Sequence, residues 1–138
     1  MYDPPEVEYV DEAYGTPLIQ AYELPLPEQQ PRSASSPALV SSLVVCAGAC
    51  RLYGFSGDNS KGSAQFILVF DAGAVPATGA VPSVVVRVPA STSFSAYWGS
   101  VGRWFDRGVV LANSSTEATL TIGSADCWFD AQYTPQVI

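Results

Sequence analysis

A chain of 138 residues has room for one domain with a tail or arm, and a hydrophobic content of 48% is enough for a core. Charged residues make up only 14%, and a formal charge of −7 sets the chain against a phosphate backbone or an anionic membrane surface, so neither nucleic acid nor membrane is an expected partner. There is no His, which removes the commonest general base and the commonest metal ligand.

The first 37 residues differ in composition from the rest. They hold seven of the eleven Pro, at 4, 5, 17, 25, 27, 31 and 37, and seven acids against the single base Arg32. Proline at this density disfavours helix and central strand and leaves extended or polyproline conformations. Tyr2, Tyr9, Tyr14 and Tyr22 recur along it with Leu18, Ile19 and Leu24, more apolar anchors than a solvating tail needs. Residues 1–37 are therefore expected to be an acidic, Pro-rich arm that orders on a partner through these side chains, with 32–37 as its flexible junction. The opening MYDPPEVEYV has neither the basic start nor the apolar centre of a secretory signal. No apolar run reaches the roughly 20 residues of a membrane-spanning helix.

From residue 38 short β-prone runs alternate with Gly, Pro, Asn, Asp and Ser. Strands are predicted near 39–46, 49–56, 64–71, 83–89, 92–98, 103–112, 117–123 and 126–134, with turns at 56–59, 72–73, 76–82, 113–115 and 123–124. No helical period stands out. Strands this short and this regularly broken predict an all-β, antiparallel sandwich or jelly-roll-like domain over 38–138. Alternation assigns faces: Cys127, Phe129, Ala131 and Tyr133 on one side of the last strand, Asp126, Trp128, Asp130 and Gln132 on the other. In 64–70, Phe66, Leu68 and Phe70 oppose Ile67 and Val69, so both faces are apolar. A small sandwich buries one face of each sheet. The surplus needs a cover, from the arm, a loop or another subunit. A homo-oligomer is expected, a trimer about Phe66–Phe70 or Val84–Val88 being favoured.

No residue pattern commits to a reaction, a metal or a cofactor. Gly54-Phe55-Ser56-Gly57 approaches a nucleophile elbow, but the second Gly falls one place early and no His is present to activate Ser56. Asp126 and Asp130 would lie roughly 13 Å apart along a strand, too far for a glycosidase pair. The oxygen ligands of Asp58, Asn59 and Ser60 lack the following bidentate Glu of a calcium loop. Cys46 and Cys50 would also be roughly 13 Å apart in a strand, and only a turn at Gly48 brings them together. The three Cys read as buried small hydrophobes, and free thiols fit synthesis in a reducing cytoplasm. Asn113-Ser114-Ser115 matches a glycosylation sequon and serves equally as a turn. Arg103-Trp104-Phe105-Asp106-Arg107 reads as a strand with Arg103 and Arg107 paired to Asp126 or Asp130, at or near a subunit interface that includes Trp104 and Trp128.

Gly102-Arg103-Trp104-Phe105, Ala112-Asn113-Ser114-Ser115, the run Thr121 to Phe129 and the closing Gln132-Tyr133 resemble the C-terminal part of small virion proteins of tailed bacteriophages. Gln65 to Asp71, with Val75-Pro76 and Val81-Pro82, fits the same pattern, and the likeness spans about 43–134. The resemblance implies a non-enzymatic β-domain carried on a virion, made in the host bacterial cytoplasm. A capsid decoration or cement protein anchored to the major shell protein by residues 1–37 is the first expectation. A host- or glycan-recognising fibre, neck or tail module is the alternative, with Trp98, Trp104 and Trp128 exposed to stack on sugar.

Overall fold

The computed structural model describes residues 30–136, and among these every regular element is a β-strand. The arm residues Tyr2, Tyr9, Tyr14, Leu18, Ile19, Tyr22 and Leu24 lie outside the described residues. The strands are β1 (Arg32–Ser35), β2 (Ser42–Cys46), β3 (Cys50–Asn59), β4 (Gln65–Asp71), β5 (Val84–Val88), β6 (Thr92–Tyr97), β7 (Arg103–Phe105), β8 (Val109–Ser114) and β9 (Cys127–Pro135). They form two antiparallel sheets. The first runs β1-β9-β3-β6, with β7 also on β3; the second runs β2-β8-β4-β5. No helix among the described residues is long and apolar enough to cross a membrane.

The sheets meet face to face over one apolar core. The first sheet contributes Leu52, Phe55, Phe94, Phe105, Phe129 and Ala131, and the second Val45, Ile67, Val69, Val88, Val109 and Leu111. Tilted ring pairs knit the first sheet's inner face, Phe94 standing 5.9 Å from Phe129 and 6.2 Å from Phe55. The alternation predicted for the last strand holds, since Cys127, Phe129 and Ala131 are buried in this core.

The apolar surplus on β4 is covered by the chain itself. Leu68, Phe70, Val110 and Ala112 form a second core on the outer side of the second sheet, closed by Leu120 and by Ala80. Two connections make this lid, 72–83 and 115–126. They are tied to each other by reciprocal bonds, Gly79 N–H to the Leu120 carbonyl and Leu120 N–H to the Ala80 carbonyl, both 2.8 Å. Leu68 and Phe70 are 0% and 3% exposed, so the expectation that they face another subunit is corrected. The segment predicted as a strand at 117–123 is this lid, touching the sheet by a single bridge between Ser114 and Ile122. The Ser114 hydroxyl takes the place of a ladder there, accepting from the Thr116 and Thr121 N–H groups.

Three further expectations change. Residues 32–35, read as a flexible junction, are strand β1, paired along its length with β9. The turn expected at 56–59 is the end of β3. Gly57 is there for close approach: a Cβ would come within 1.9 Å of the Trp128 carbonyl and 2.6 Å of the Phe94 ring. The strand expected over 103–112 is two, β7 in the first sheet and β8 in the second. The chain changes sheets at Gly108, whose φ of 144° and position against the Cys46 and Ala72 carbonyls leave no room for a side chain. Asp71 braces the corner, its carboxylate accepting the N–H groups of Asp106 and Arg107.

Gly108→Ala should lower unfolding stability by about 2–4 kcal/mol, through the positive φ and the carbonyl contacts together. Gly48→Ala, at a site with nothing within 4 Å of the added methyl, is the matched control and should change it by less than about 1 kcal/mol. Urea denaturation of both variants checks this.

Candidate functional site

Among the described residues, no segment covers the outer face of the first sheet. Register places its side chains in four rows across the strands. Trp128, Asp58 and Ser93 make the first; Ser35, Asp130, Ser56 and Ser95 the second. Ser33, Gln132, Gly54 and Tyr97 make the third; Thr134, Arg51 and Trp104 the fourth. Aromatic rings stand at both ends and along one side, with small polar residues between. Tyr97 is 74% exposed, Trp128 43% and Trp104 42%. An open hollow of ≈ 440 Å³ is lined by Ser56, Gly57, Asp58, Ser93, Phe94 and Ser95, and Trp128 is in register with Asp58. The hydroxyls of Ser33 and Ser35 bond Gln132 and Asp130, which orders the middle of the face.

Register also separates charge along this face. Asp58 and Asp130 belong to the Trp128 end. Arg51 and Trp104 pair at the opposite end, with the Arg51 guanidinium 5.7 Å from the Trp104 ring centre and donating to the Val101 carbonyl. The Trp104 indole N–H donates to Asp106. Arg103 sits at the rim with its guanidinium over Phe105, 5.6 Å from the ring centre. The ion pairs expected from Arg103 and Arg107 to Asp126 or Asp130 do not form. Asp130 is held by Ser35 and Gln132, and Asp126 turns away from this face altogether. Phe66 is half-buried on β4 with Arg87 over its ring, on the other sheet. Trp98, expected to be exposed, is half-buried with its ring 6.1 Å from Phe55.

Asp126 belongs instead to a polar cluster under the lid. Gln65 Nε2 donates to Asp126 and to Asn59, each at 2.7 Å, and Asn113 Nδ2 donates to Asp126 at 2.8 Å and to the Ser124 carbonyl. Asn59 in turn bonds the carbonyls of Ser63 and Pro89. Asn59, Gln65 and Asn113 are buried, and their amides are all spent on protein partners, which makes this a structural clasp. The sequon residues Asn113 and Ser114 are both buried, so no glycan can be attached there in the folded chain. Single-sequence reading had no access to this clasp, because its members are drawn from four separate segments.

Two of the thiols, Cys50 and Cys127, are also enclosed, and Cys46 is half-buried. All three are free, and the turn at 47–49 does bring Cys46 to Cys50. Burial pushes the Cys50 thiol well above its ordinary range, with the neighbouring Cys46 thiol adding to the effect. Burial likewise pushes the Cys127 thiol up to about 11. Among the described residues no group of three or more Cys, Asp or Glu is placed to hold a metal. No family model, curated protein or solved structure matches this chain.

Both buried thiols stay protonated in the folded chain after the unfolded chain has ionised. Their contribution to stability is complete below the ordinary thiol pKa of 9.0 and is lost as pH rises from there through about 11. The urea midpoint should therefore fall over that interval, and more shallowly in Cys127→Ala than in the parent. A series of denaturation curves across the interval measures it.

Proposed function

We propose that this chain is a non-enzymatic structural protein of a tailed-bacteriophage particle, a decoration or cement protein that docks through one face. The observation that carries the reading is the contrast between the two sheets. The lid covers the middle of one outer face, over Leu68, Phe70, Val110 and Ala112, and leaves Val44 and Val85 exposed beside it, while the other outer face presents Trp104, Trp128 and Tyr97. A domain with a covered core on one side and aromatic rings on the other suits attachment to a much larger surface, and Trp, Tyr and Arg are the side chains that anchor such contacts. In this reading the sandwich is jelly-roll-like. The Pro-rich arm, shortened to the residues before β1, is the anchor on the shell protein. Any homotrimer forms through Arg103, Trp104, Arg107 and Trp128 or about Val84–Val88, where Val85 is exposed, because Leu68 and Phe70 are enclosed. The resemblance to small virion proteins supplies the particle context.

The glycan-recognising reading is favoured by one feature, the hollow lined by Asp58, Ser56, Ser93 and Ser95, with Trp128 in register with Asp58 on the neighbouring strand. An indole flanked by carboxylate and hydroxyl groups is a platform on which a sugar ring can stack and bond.

Deletion of residues 1–29 should lower binding to shells lacking this chain by at least about tenfold, the loss of roughly 1.4 kcal/mol or more. Trp104→Ala with Trp128→Ala should lower it separately. Quantitative mass spectrometry of purified particles should find a copy number near that of the shell protein. Undiminished shell binding by the deletion would end the anchoring role. Sugar binding that is lost in Trp128→Ala, with no shell binding, would move the function to recognition.

A further inference from the structure

Strand β5 is a bare edge of the second sheet. Among the described residues it pairs only with β4, over five registered pairs without a shift, and no backbone bond joins it to any other segment. Alternate N–H and C=O groups of an antiparallel edge strand point away from the sheet, and they are a template for a further strand unless something blunts them. The other edges are blunted or polar. β2 carries a bulge between Val44 and Cys46, and β7 is three residues long. β1 reads RSAS and β6 reads TSFSAY, both with hydroxyls at alternate positions. β5 reads VVVRV, with neither Pro nor bulge inside it and a single charge.

The side chains of this edge match themselves. Val84 and Val86 pack against the central core yet are only half-buried, because no strand lies beyond them. Ser83, Val85 and Arg87 alternate with them on the outer side and are exposed, Val85 at 38%. A two-fold axis normal to the sheet keeps core-side residues together only if it passes through a residue position. Centred on Val86, the pairing would need Val88, which is already fully buried. Centred on Val85, it sets Val84 against Val86 of a second copy, Val85 against Val85 and Arg87 against Ser83. The half-buried Val84 and Val86 then close the rim of the core for each other. The only charge faces a hydroxyl and stays about 13 Å along the strand from its counterpart, so no like charges oppose.

We infer that β5 pairs antiparallel with β5 of a second copy of this chain, about Val85, and joins two four-stranded sheets into one continuous sheet. The inference concerns the free protein and stands whether or not the particle reading does. A two-fold contact closes at two copies, so it is an alternative to a trimer built on the same strand.

The test is sedimentation equilibrium of the full chain from about 1 µM to about 500 µM, a range suited to a small edge contact. The mean mass should climb from that of one chain, 14.6 kDa, toward that of two and no further. Val85→Lys sets two cations against each other at the axis and should hold the protein at one chain throughout, with its circular dichroism retained. Cross-linking gives a second readout that does not depend on that variant folding. Directly opposed Cβ atoms lie about 4.5–5.5 Å apart, so Val85→Cys should form a disulfide-linked dimer under mild oxidation by a small disulfide. Arg87→Cys, about 13 Å from its counterpart, and the parent with its own three Cys should form at least about fivefold less. One chain at every concentration would overturn the inference. So would three copies, or equal cross-linking through Val85→Cys and Arg87→Cys.

Discussion

The fold turns on one place where the chain leaves the first sheet and enters the second. Phe105 and Val109 are four residues apart and both point into the central core, from opposite sheets. Getting from one to the other takes a sharp corner. Gly108 supplies a backbone angle that side-chain-bearing residues avoid, and it lets the Cys46 and Ala72 carbonyls close over it. Asp71, at the far end of β4, accepts the two N–H groups that the corner would otherwise leave bare. Without that brace β8 could not insert between β2 and β4, and both cores would lose a strand that each of them needs.

The periodicity of the sequence is informative where a strand has one neighbouring environment. Cys127, Phe129 and Ala131 alternate cleanly, and the last strand could be read to within a residue at each end. Val84, Val86 and Val88 are equally clear. The double apolar face of β4 was legible too, but its cover was not. Leu120 and Ala80 come from segments rich in Gly, Pro, Ser and Thr, whose local composition announces loops without saying where they lie. The corner at 106–108 was hidden because alternation runs through it unbroken, while the sheet that receives the side chains changes. Its stabilising partner, Asp71, is 35 and 36 residues away from the two N–H groups it accepts, beyond any local pattern. Ser56 to Asn59 failed for the opposite reason. These are turn-prone types, but Gly57 is fixed by the carbonyl of β9 and Asn59 by a buried amide cluster.

The candidate site was legible in part. Trp104, Trp128 and Arg103 are at the surface as the residue types foretold, but their partners differ. Charge pairing across strands was a reasonable expectation from spacing alone. In the molecule the acids serve neutral hydrogen-bond donors, and the guanidinium groups of Arg51, Arg87 and Arg103 lie over rings. The clasp that takes Asp126 inward is what prevents the pairing. It uses the carboxylate to hold Gln65 and Asn113, which sit at the ends of β4 and β8, and so trades a surface ion pair for rigidity at the end of the sandwich remote from the corner.

Strand β1 lies at the rim of its sheet and is paired on one side only. It is also the first strand among the described residues, so a pull on the chain before it reaches the sheet through β1. Because β1 and β9 run antiparallel with four rungs in register, tension along the strand axis loads the rungs together. Tension across the axis opens them one after another. The direction of the arm's departure thus decides whether β1 acts as a grip or as a zip. A sideways lift would strip Arg32–Ser35 from β9 and bare the edge of a sheet whose other strands remain in place.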